Sequence, residues 1–392
     1  MSFFISMNIT CLVIKLENRY DMNIDLRRDT MQPKYKIVIE EIKSWLFEEQ
    51  FLPHQKLPTE TQLMERFAVS RHTIRRAIGD LEVENYLYRI QGGGIYAADW
   101  KEKETNQIPT KTIAVLTTHI ADYIFPNIIV GIEKILSEHS YSLLLASTHN
   151  DPLIERKSLE NLLSQRIEGM IVEPTKSSYP SQNIGIYKNM KNNHIPCLMI
   201  NSAYQDIDFP KLTMDDFKGG YLATEHLLSL GHVEILGIFK TDDQQGVKRM
   251  NGFISAYQKN PSVSSIGQFI TFQTNEEKKE LPERIRAVLT QPNKPTGIVC
   301  YNDQVAVQVI SIAKELGIDV PDELSIVGYD DSPIASILDV KLTTIKHPQE
   351  QMGIDAGRMI LKLIESGTSD VAQSILYEPE LITRQSTKKI RR

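Results

Sequence analysis

From Pro33 the apolar residues of PKYKIVIEEIKSWLFEEQ recur at roughly helical spacing. Ile37, Ile39, Ile42, Trp45, Leu46 and Phe47 together predict an amphipathic helix. Pro53 and Pro58 in FLPHQKLP break it. Thr59 opens TETQLMERF, and Gln62 three residues on completes the capping-box pattern that starts a second, short helix. After the tight connection AVS, Ser70 is placed to cap a third helix running from Arg71 to about Asn85. Its Ile74, Ala77, Ile78 and Leu81 share one face. LYRIQGGGIYAA then reads as two short β segments around a triple glycine, because glycine tolerates the positive φ angles of a tight hairpin. Helix, helix, tight turn, helix, hairpin is the order of a winged helix-turn-helix, expected over residues 31–98.

The polar, aperiodic stretch DWKEKETNQIPTK, residues 99–111, reads as a linker. Beyond it the pattern changes. Short β-branched runs (TIAVLTT, YSLLLAST, GMIVEP, PCLMIN, EILGIFK, TGIVCYND, ELSIVGYDD) alternate with amphipathic stretches such as NIIVGIEKILSEH, YLATEHLLSLGH and QVAVQVISIAKELGI. That alternation is βαβ repetition, hence parallel sheets covered by helices. About 280 residues is too many for one such sheet, so residues 112–392 are expected to form two lobes with a cleft.

The chain is acidic, with a net charge of −6, yet Arg71, His72, Arg75 and Arg76 lie within six residues. A charge run on a helix can be no more than a solvated face. Here the run begins the helix that a winged module inserts in the DNA major groove, where arginine reads guanine edges and pairs with phosphate. Residues 31–98 hold nine basic and nine acidic side chains, so binding must be focused, and doubled by dimerisation, rather than driven by bulk charge.

In parallel sheets ligands bind beyond the carboxyl ends of the strands. The residues found there are Tyr123, Phe125 and Pro126, then Glu173, Asn201, Asp215 and Asp216. Arg249, Asn302, Asp303, Asp330 and Asp331 complete the set. Carboxylates, amides and one arginine among aromatic rings suit a polyhydroxylated ligand, since charged acceptors hold hydroxyls and an aromatic face covers the apolar side of a sugar ring. Plainer readings stay open. Asp216 and Asn302 could cap the helices that follow, Tyr123 and Phe125 could be core, and Arg249 could be a surface residue.

The stretch LPTETQLMERFAVSRHTIRRAIGDL with the QGGGIYAA wing resembles the DNA-binding head of the GntR family. It departs at Asn85, where that family commonly has glycine, and at Ile95-Tyr96, where Thr-Phe is usual. DDFKGGYLATEHLLSLGH, RMNGF, CYNDQVAVQVI, VPDELSIVGYDDSPIAS and LTTIKHP are similar to the periplasmic-binding-protein-like effector domain of the lac and galactose repressor family. This head on that body resembles the arabinose-operon repressors of Gram-positive bacteria over nearly all of residues 31–392. The resemblance implies a homodimeric repressor that releases operator DNA on binding L-arabinose. It implies DNA contacts at Lys34, Glu60, Ser70, Arg71, His72, Thr73, Arg75, Gln91 and Gly92. Effector contacts are expected at Tyr123, Phe125, Glu173, Asn201, Asp216, Arg249, Asp303 and Asp331, with Arg249 and Asp303 approaching from opposite lobes.

Competing classes are a DNA-binding head fused to a sugar-modifying enzyme and a transport-type sugar receptor. No GxSxG elbow, P-loop or metal-spaced histidine pair supports an enzyme, and no cofactor is implied. Cys11, Cys197 and Cys300 form neither a disulfide framework nor a zinc motif, which fits a reducing cytoplasm. No apolar run reaches the roughly eighteen residues that span a membrane. MSFFISMNITCLVIKL lacks a basic start and a cleavage site, so it is not read as a signal peptide. Residues 1–30 are expected to be a disordered extension or a mis-called start, with Met31 the initiator.

Overall fold

The apolar face predicted for the third helix is buried in full, and Ile74, Ala77, Ile78 and Leu81 form the centre of the N-terminal unit. The computed structural model describes residues 33–47, 50–90, 92–99, 110–121, 123–260, 267–367 and 373–390. The extension at 1–30 and all but the ends of the expected linker lie outside them, and the described residues fall into two units on either side of that gap.

In the first unit, α1 (Lys34–Phe47), α2 (Glu60–Phe67) and α3 (Arg71–Val83) pack with the antiparallel pair β1 (Leu87–Ile90) and β2 (Gly94–Ala97). On α1 the buried stripe is Val38, Ile42, Trp45 and Leu46. Ile37 and Ile39 are half-buried and Phe47 is exposed, so the predicted stripe is displaced at both ends. Trp45 stacks on Phe67 with centroids 5.5 Å apart. The capping box forms as the spacing predicts, Gln62 N–H donating to the Thr59 hydroxyl and Thr59 N–H to Gln62 Oε1. Ala68 turns the chain in the left-handed region at φ 50°, and Ser70 caps α3 by accepting from Thr73 N–H. Asn85 sits at φ 56°, and asparagine is among the few side chains that tolerate this conformation. The departure from glycine there therefore keeps the approach to the wing. Gly94, at φ 117°, takes a backbone conformation that side chains rarely adopt, which favours glycine there.

The second unit has two sheets. The first runs β13-β7-β6-β5-β3-β4, all parallel, from β3 (Thr112–Thr117), β4 (Ser142–Ser147), β5 (Gly169–Val172), β6 (Cys197–Asn201), β7 (Lys211–Met214) and β13 (Ile375–Tyr377). The second runs β14-β12-β11-β10-β8-β9, from β8 (Ile235–Lys240), β9 (Gln268–Phe272), β10 (Gly297–Cys300), β11 (Ser325–Asp330), β12 (Thr343–Lys346) and β14 (Glu380–Ile382). It is parallel except for β14, which pairs antiparallel with β12.

The first lobe is covered by α4 (Phe125–Glu138), α5 (Pro152–Leu163), α6 (Ile184–Asn192) and α12 (Gln349–Ser366). The second carries α7 (Asp216–Ser229), α8 (Gln244–Gln258), α9 (Leu281–Leu289), α10 (Asp303–Glu315) and α11 (Pro333–Ile337). The chain passes between lobes at Asp215, at His347–Pro348 and at Glu378–Pro379, so α12 and β13 return to the first lobe after the second is built.

Helices α7 and α8 approach backbone to backbone. A Cβ on Gly220 would lie 2.1 Å from the Arg249 carbonyl oxygen, and one on Gly252 would lie 2.0 Å from that of Phe217. Gly220→Ala is expected to lower the free energy of unfolding by about 1–3 kcal/mol through overpacking. Gly185→Ala on α6, where nothing lies within 4 Å, is expected to be neutral or stabilising by up to about 1 kcal/mol. Urea unfolding measures both, and coincident transitions for the two variants would contradict the close α7–α8 approach.

Candidate functional site

On the N-terminal unit the starts of α2 and α3 share one surface. Arg71, His72, Arg75 and Arg76 are exposed on α3, consistent with its apolar residues facing the core. Glu60, the first residue of α2, accepts from Arg75 Nε at 3.0 Å (Oε2) and 3.3 Å (Oε1). This contact holds the guanidinium by its inner edge, while the Arg75 side chain remains 60% exposed for an outside partner. The Ser70 and Thr73 hydroxyls bond each other at 2.9 Å at the helix start. Arg76 lies over the Tyr35 ring, 3.8 Å from its centroid, and so serves packing within the unit. Lys34 is exposed at the first turn of α1, and Gly92 is exposed in the wing turn at φ 75°. Gln91 lies outside the described residues.

In the second unit the carboxyl ends of both sheets face a cleft of about 390 Å³. At its centre Arg249 of α8 is buried to 5% exposure. Its Nε donates to Asp216 Oδ1 at 2.9 Å and its Nη1 to the Tyr301 carbonyl at 2.7 Å. Nη2 lies 3.5 Å from Asp330 Oδ1, and the guanidinium covers the Tyr329 ring at 3.5 Å from its centroid. Asp215 caps α7 by accepting from Lys218 N–H, which leaves Asp216 for the arginine. Asn302 does both jobs, capping α10 through Val305 N–H and lining the cleft.

The first lobe contributes Glu173, whose Oε2 accepts from Thr118 N–H and hydroxyl at 2.8 and 2.6 Å and whose Oε1 accepts from Asn201 Nδ2 at 2.9 Å. Burial pushes the Glu173 carboxyl up despite these donors. Tyr123 reaches across the cleft. Its hydroxyl donates to Asp330 Oδ2 at 2.6 Å and accepts from Asp303 N–H at 3.1 Å. Phe125 lines the same wall, 7% exposed. Beyond β4 and β9, the strands farthest from the crossings, Asn150 Nδ2 donates to Thr274 Oγ1 at 2.6 Å and ties the lobes at the mouth.

Six of the expected effector residues, Tyr123, Phe125, Glu173, Asn201, Asp216 and Arg249, thus line one cleft. Asp303 and Asp331 do not, and their neighbours Asn302 and Asp330 stand there instead. The Asp303 carboxylate turns inward to accept from Thr344 Oγ1 at 2.7 Å and from Ser332 N–H and hydroxyl at 2.8 Å each. Burial, with the Asp330 charge beside it, pushes its pKa up to about 7. Asp331 pairs with Arg384 at 2.6 Å. The expectation that Arg249 and Asp303 come from opposite lobes also fails, because everything from Asp216 to Lys346 belongs to the second lobe.

Sequence reasoning missed His347, in the crossing after β12, although its motif LTTIKHP had been noticed. Asn201 spends its amide nitrogen on Glu173, so its oxygen accepts from His347 Nε2 at 3.1 Å. That contact places the proton on Nε2 and leaves Nδ1 a buried acceptor without a hydrogen-bond partner among the described residues. Burial, and after it the Arg249 charge, lowers the His347 pKa to about 3, so the ring is neutral. Asp330 Oδ1 and Gln245 Oε1 likewise lack a hydrogen-bond partner among the described residues, and both residues line the cleft. No group of His, Cys, Asp and Glu among the described residues could hold a metal ion. No helix among them is long and apolar enough to cross a membrane.

Comparison with known proteins agrees with both halves of the architecture. Residues 34–97 match the bacterial regulatory proteins of the gntR family, and residues 224–387 match the periplasmic binding protein-like domain. The body is similar to a periplasmic binding protein/LacI transcriptional regulator from Alkaliphilus metalliredigens, crystallised with D-xylulofuranose. The TM-score is 0.60 at 26% identity, covering 71% of this chain and 99% of that one. The arabinose metabolism transcriptional repressor of Geobacillus stearothermophilus is 45% identical, covering 91% of this chain and 98% of that protein. The repressor of the same name from Halalkalibacterium halodurans is 46% identical, covering 91% and 97%. Identity at this level along both the head and the body shows that the chain belongs to the family of arabinose metabolism transcriptional repressors.

Proposed function

We propose that the protein is a cytoplasmic, homodimeric repressor that leaves its operators when L-arabinose closes the cleft between its lobes. The observation that carries this reading is the ring of acceptors around Arg249. Asp330 Oδ1, His347 Nδ1 and Gln245 Oε1 are buried without hydrogen-bond partners among the described residues, and a ligand rich in hydroxyls supplies the donors they lack. The similarity of the body to a regulator crystallised with a five-carbon sugar, and of the whole chain to repressors of arabinose metabolism, supports a pentose.

In this reading residues 31–98 are the DNA-binding head, 99–111 the linker and 112–392 the sugar-binding and dimerisation body. Arg71, His72 and Arg75 read base edges, with Ser70 and Thr73 at the helix start. Glu60 orients Arg75, and Lys34, Gln91 and Gly92 meet the backbone or groove on either side. Two heads supply the affinity that one electrically neutral head lacks.

Arg75→Ala is expected to cost about 1–3 kcal/mol of operator affinity and to relax preference at one base pair. Replacing Lys34 should instead weaken all duplexes alike and reduce the salt dependence. Gel-shift titrations over operator variants and salt concentrations separate the two, and an unchanged base preference would remove Arg75 from the readout.

The decisive experiment rests on reciprocity, since operator DNA must weaken sugar binding by the factor with which sugar weakens operator binding. L-arabinose is titrated calorimetrically into the protein with and without a saturating operator fragment. A lower sugar affinity on DNA is expected. Equal affinities would mean that the cleft does not govern the head.

A further inference from the structure

Asp330, the last residue of β11, and Asp331 after it have φ angles of 98° and 48°, two successive positive-φ residues that both carry side chains. Such backbone is costly and persists only where the surroundings over-determine it. At Asp330 the outcome is functional, because this conformation directs its carboxylate to Arg249 and into the cleft. Tyr123 and Arg249 hold the Asp330 carboxylate from within the cleft, and the backbone of the pair is held from outside it. Arg384, just beyond β14, donates from Nη2 to Asp331 Oδ1 at 2.6 Å and from Nη1 to the Leu342 carbonyl at 2.8 Å. Its own N–H is fixed on Thr343 Oγ1 at 2.9 Å. From the other side Gln349 Nε2 donates to the Asp330 carbonyl at 2.8 Å, and Asp303 holds Ser332 by two bonds.

We propose that Arg384 is a positioning residue for effector binding, clamping the positive-φ Asp330–Asp331 pair through Asp331 and thereby setting the aim of the Asp330 carboxylate. The proposal rests on the sugar-binding reading of the cleft and adds to it a residue that does not line the cleft. The guanidinium suits the task because its planar fork addresses a carboxylate and a backbone carbonyl at once, which a lysine ammonium cannot do in the same geometry. It also explains why an Asp-Asp pair stands at the strand's end. The first carboxylate faces the ligand and the second is the handle by which the turn is held.

The test uses the full chain with Arg384→Met. In the sugar-free protein, amide hydrogen exchange at Asp331 and Ser332, whose N–H groups donate to Thr344 and Asp303, is expected to accelerate at least about tenfold. The dissociation constant for L-arabinose is expected to rise about tenfold, with sugar-free operator binding unchanged. In an Asp330→Asn background the further loss caused by Arg384→Met should shrink to within about twofold, since a clamp that works through Asp330 has nothing left to position. Unaltered exchange at these two amides overturns the proposal. So does a loss of sugar affinity that persists in full beside Asp330→Asn, because that would be general softening of the lobe. Faster exchange in a protein whose wild type ignores L-arabinose would support the clamp and sink the sugar reading instead. If Arg384→Met does not fold, Arg384→Lys, which keeps the charge and loses the fork, is read in the same way.

Discussion

The body of this protein is organised around one desolvated positive charge. A guanidinium taken out of water costs several kcal/mol unless acceptors replace its hydration, and removing a partner from such a pair is more damaging than never having built it. Arg249 receives Asp216, Asp330 and the Tyr301 carbonyl in the plane of its nitrogens and the Tyr329 ring on its face. One cation between two carboxylates does not balance, and burial outweighs Arg249 in pushing both Asp216 and Asp330 upward. A site with acceptors in excess suits the hydroxyl donors of the proposed sugar. The surrounding backbone serves this arrangement. Asp215 relieves Asp216 of capping, Gly220 and Gly252 let α8 settle on α7, and the strained end of β11 delivers Asp330.

The same economy appears in the head, where Glu60 on one helix steadies Arg75 on the next. An exposed ion pair contributes little to stability, so its value lies in orientation. It removes rotamers from a long side chain, so that under the proposed DNA readout its ordering entropy is met on folding rather than on recognition. A neutral module gains selectivity this way. Its one concentrated basic surface is presented in a defined geometry instead of a diffuse field.

Much of this was legible in the residues. The capping box at Thr59 and Gln62, the Ser70 cap and the four-residue face of α3 are local patterns, and these three formed as read. The seven β-branched runs became strands for the same reason. Strands β7, β9 and β12 escaped notice because polar residues interrupt their apolar runs, and β13 and β14 because they have only three residues each. That omission hid Thr274 and His347, which follow β9 and β12. Asp303 and Asp331 stand one position away from the residues that line the cleft. In CYNDQ and GYDDS two acidic or amide neighbours stand at a strand's end, and which one faces the cleft depends on where the strand's last hydrogen bond falls. Asn302 as a cap, which the sequence offered as one of its readings, and Asp330 at φ 98°, which composition and spacing do not reveal, decide it.

The repeated crossing of the chain between lobes has a consequence for synthesis. The first lobe needs α12 against α4 and β13 against β7, yet these segments follow the entire second lobe in the chain. As the polypeptide leaves the ribosome, residues 112–214 emerge with an uncovered helix face on α4 and an unpaired edge on β7, and wait for residues 349–377. The second lobe is likewise incomplete until β14 and Arg384 arrive. Contacts this distant in sequence slow folding, and neither lobe can close its core alone. A nascent chain of this repressor therefore commits to its cleft only after residues 349–384 have emerged, when both lobes are finished together.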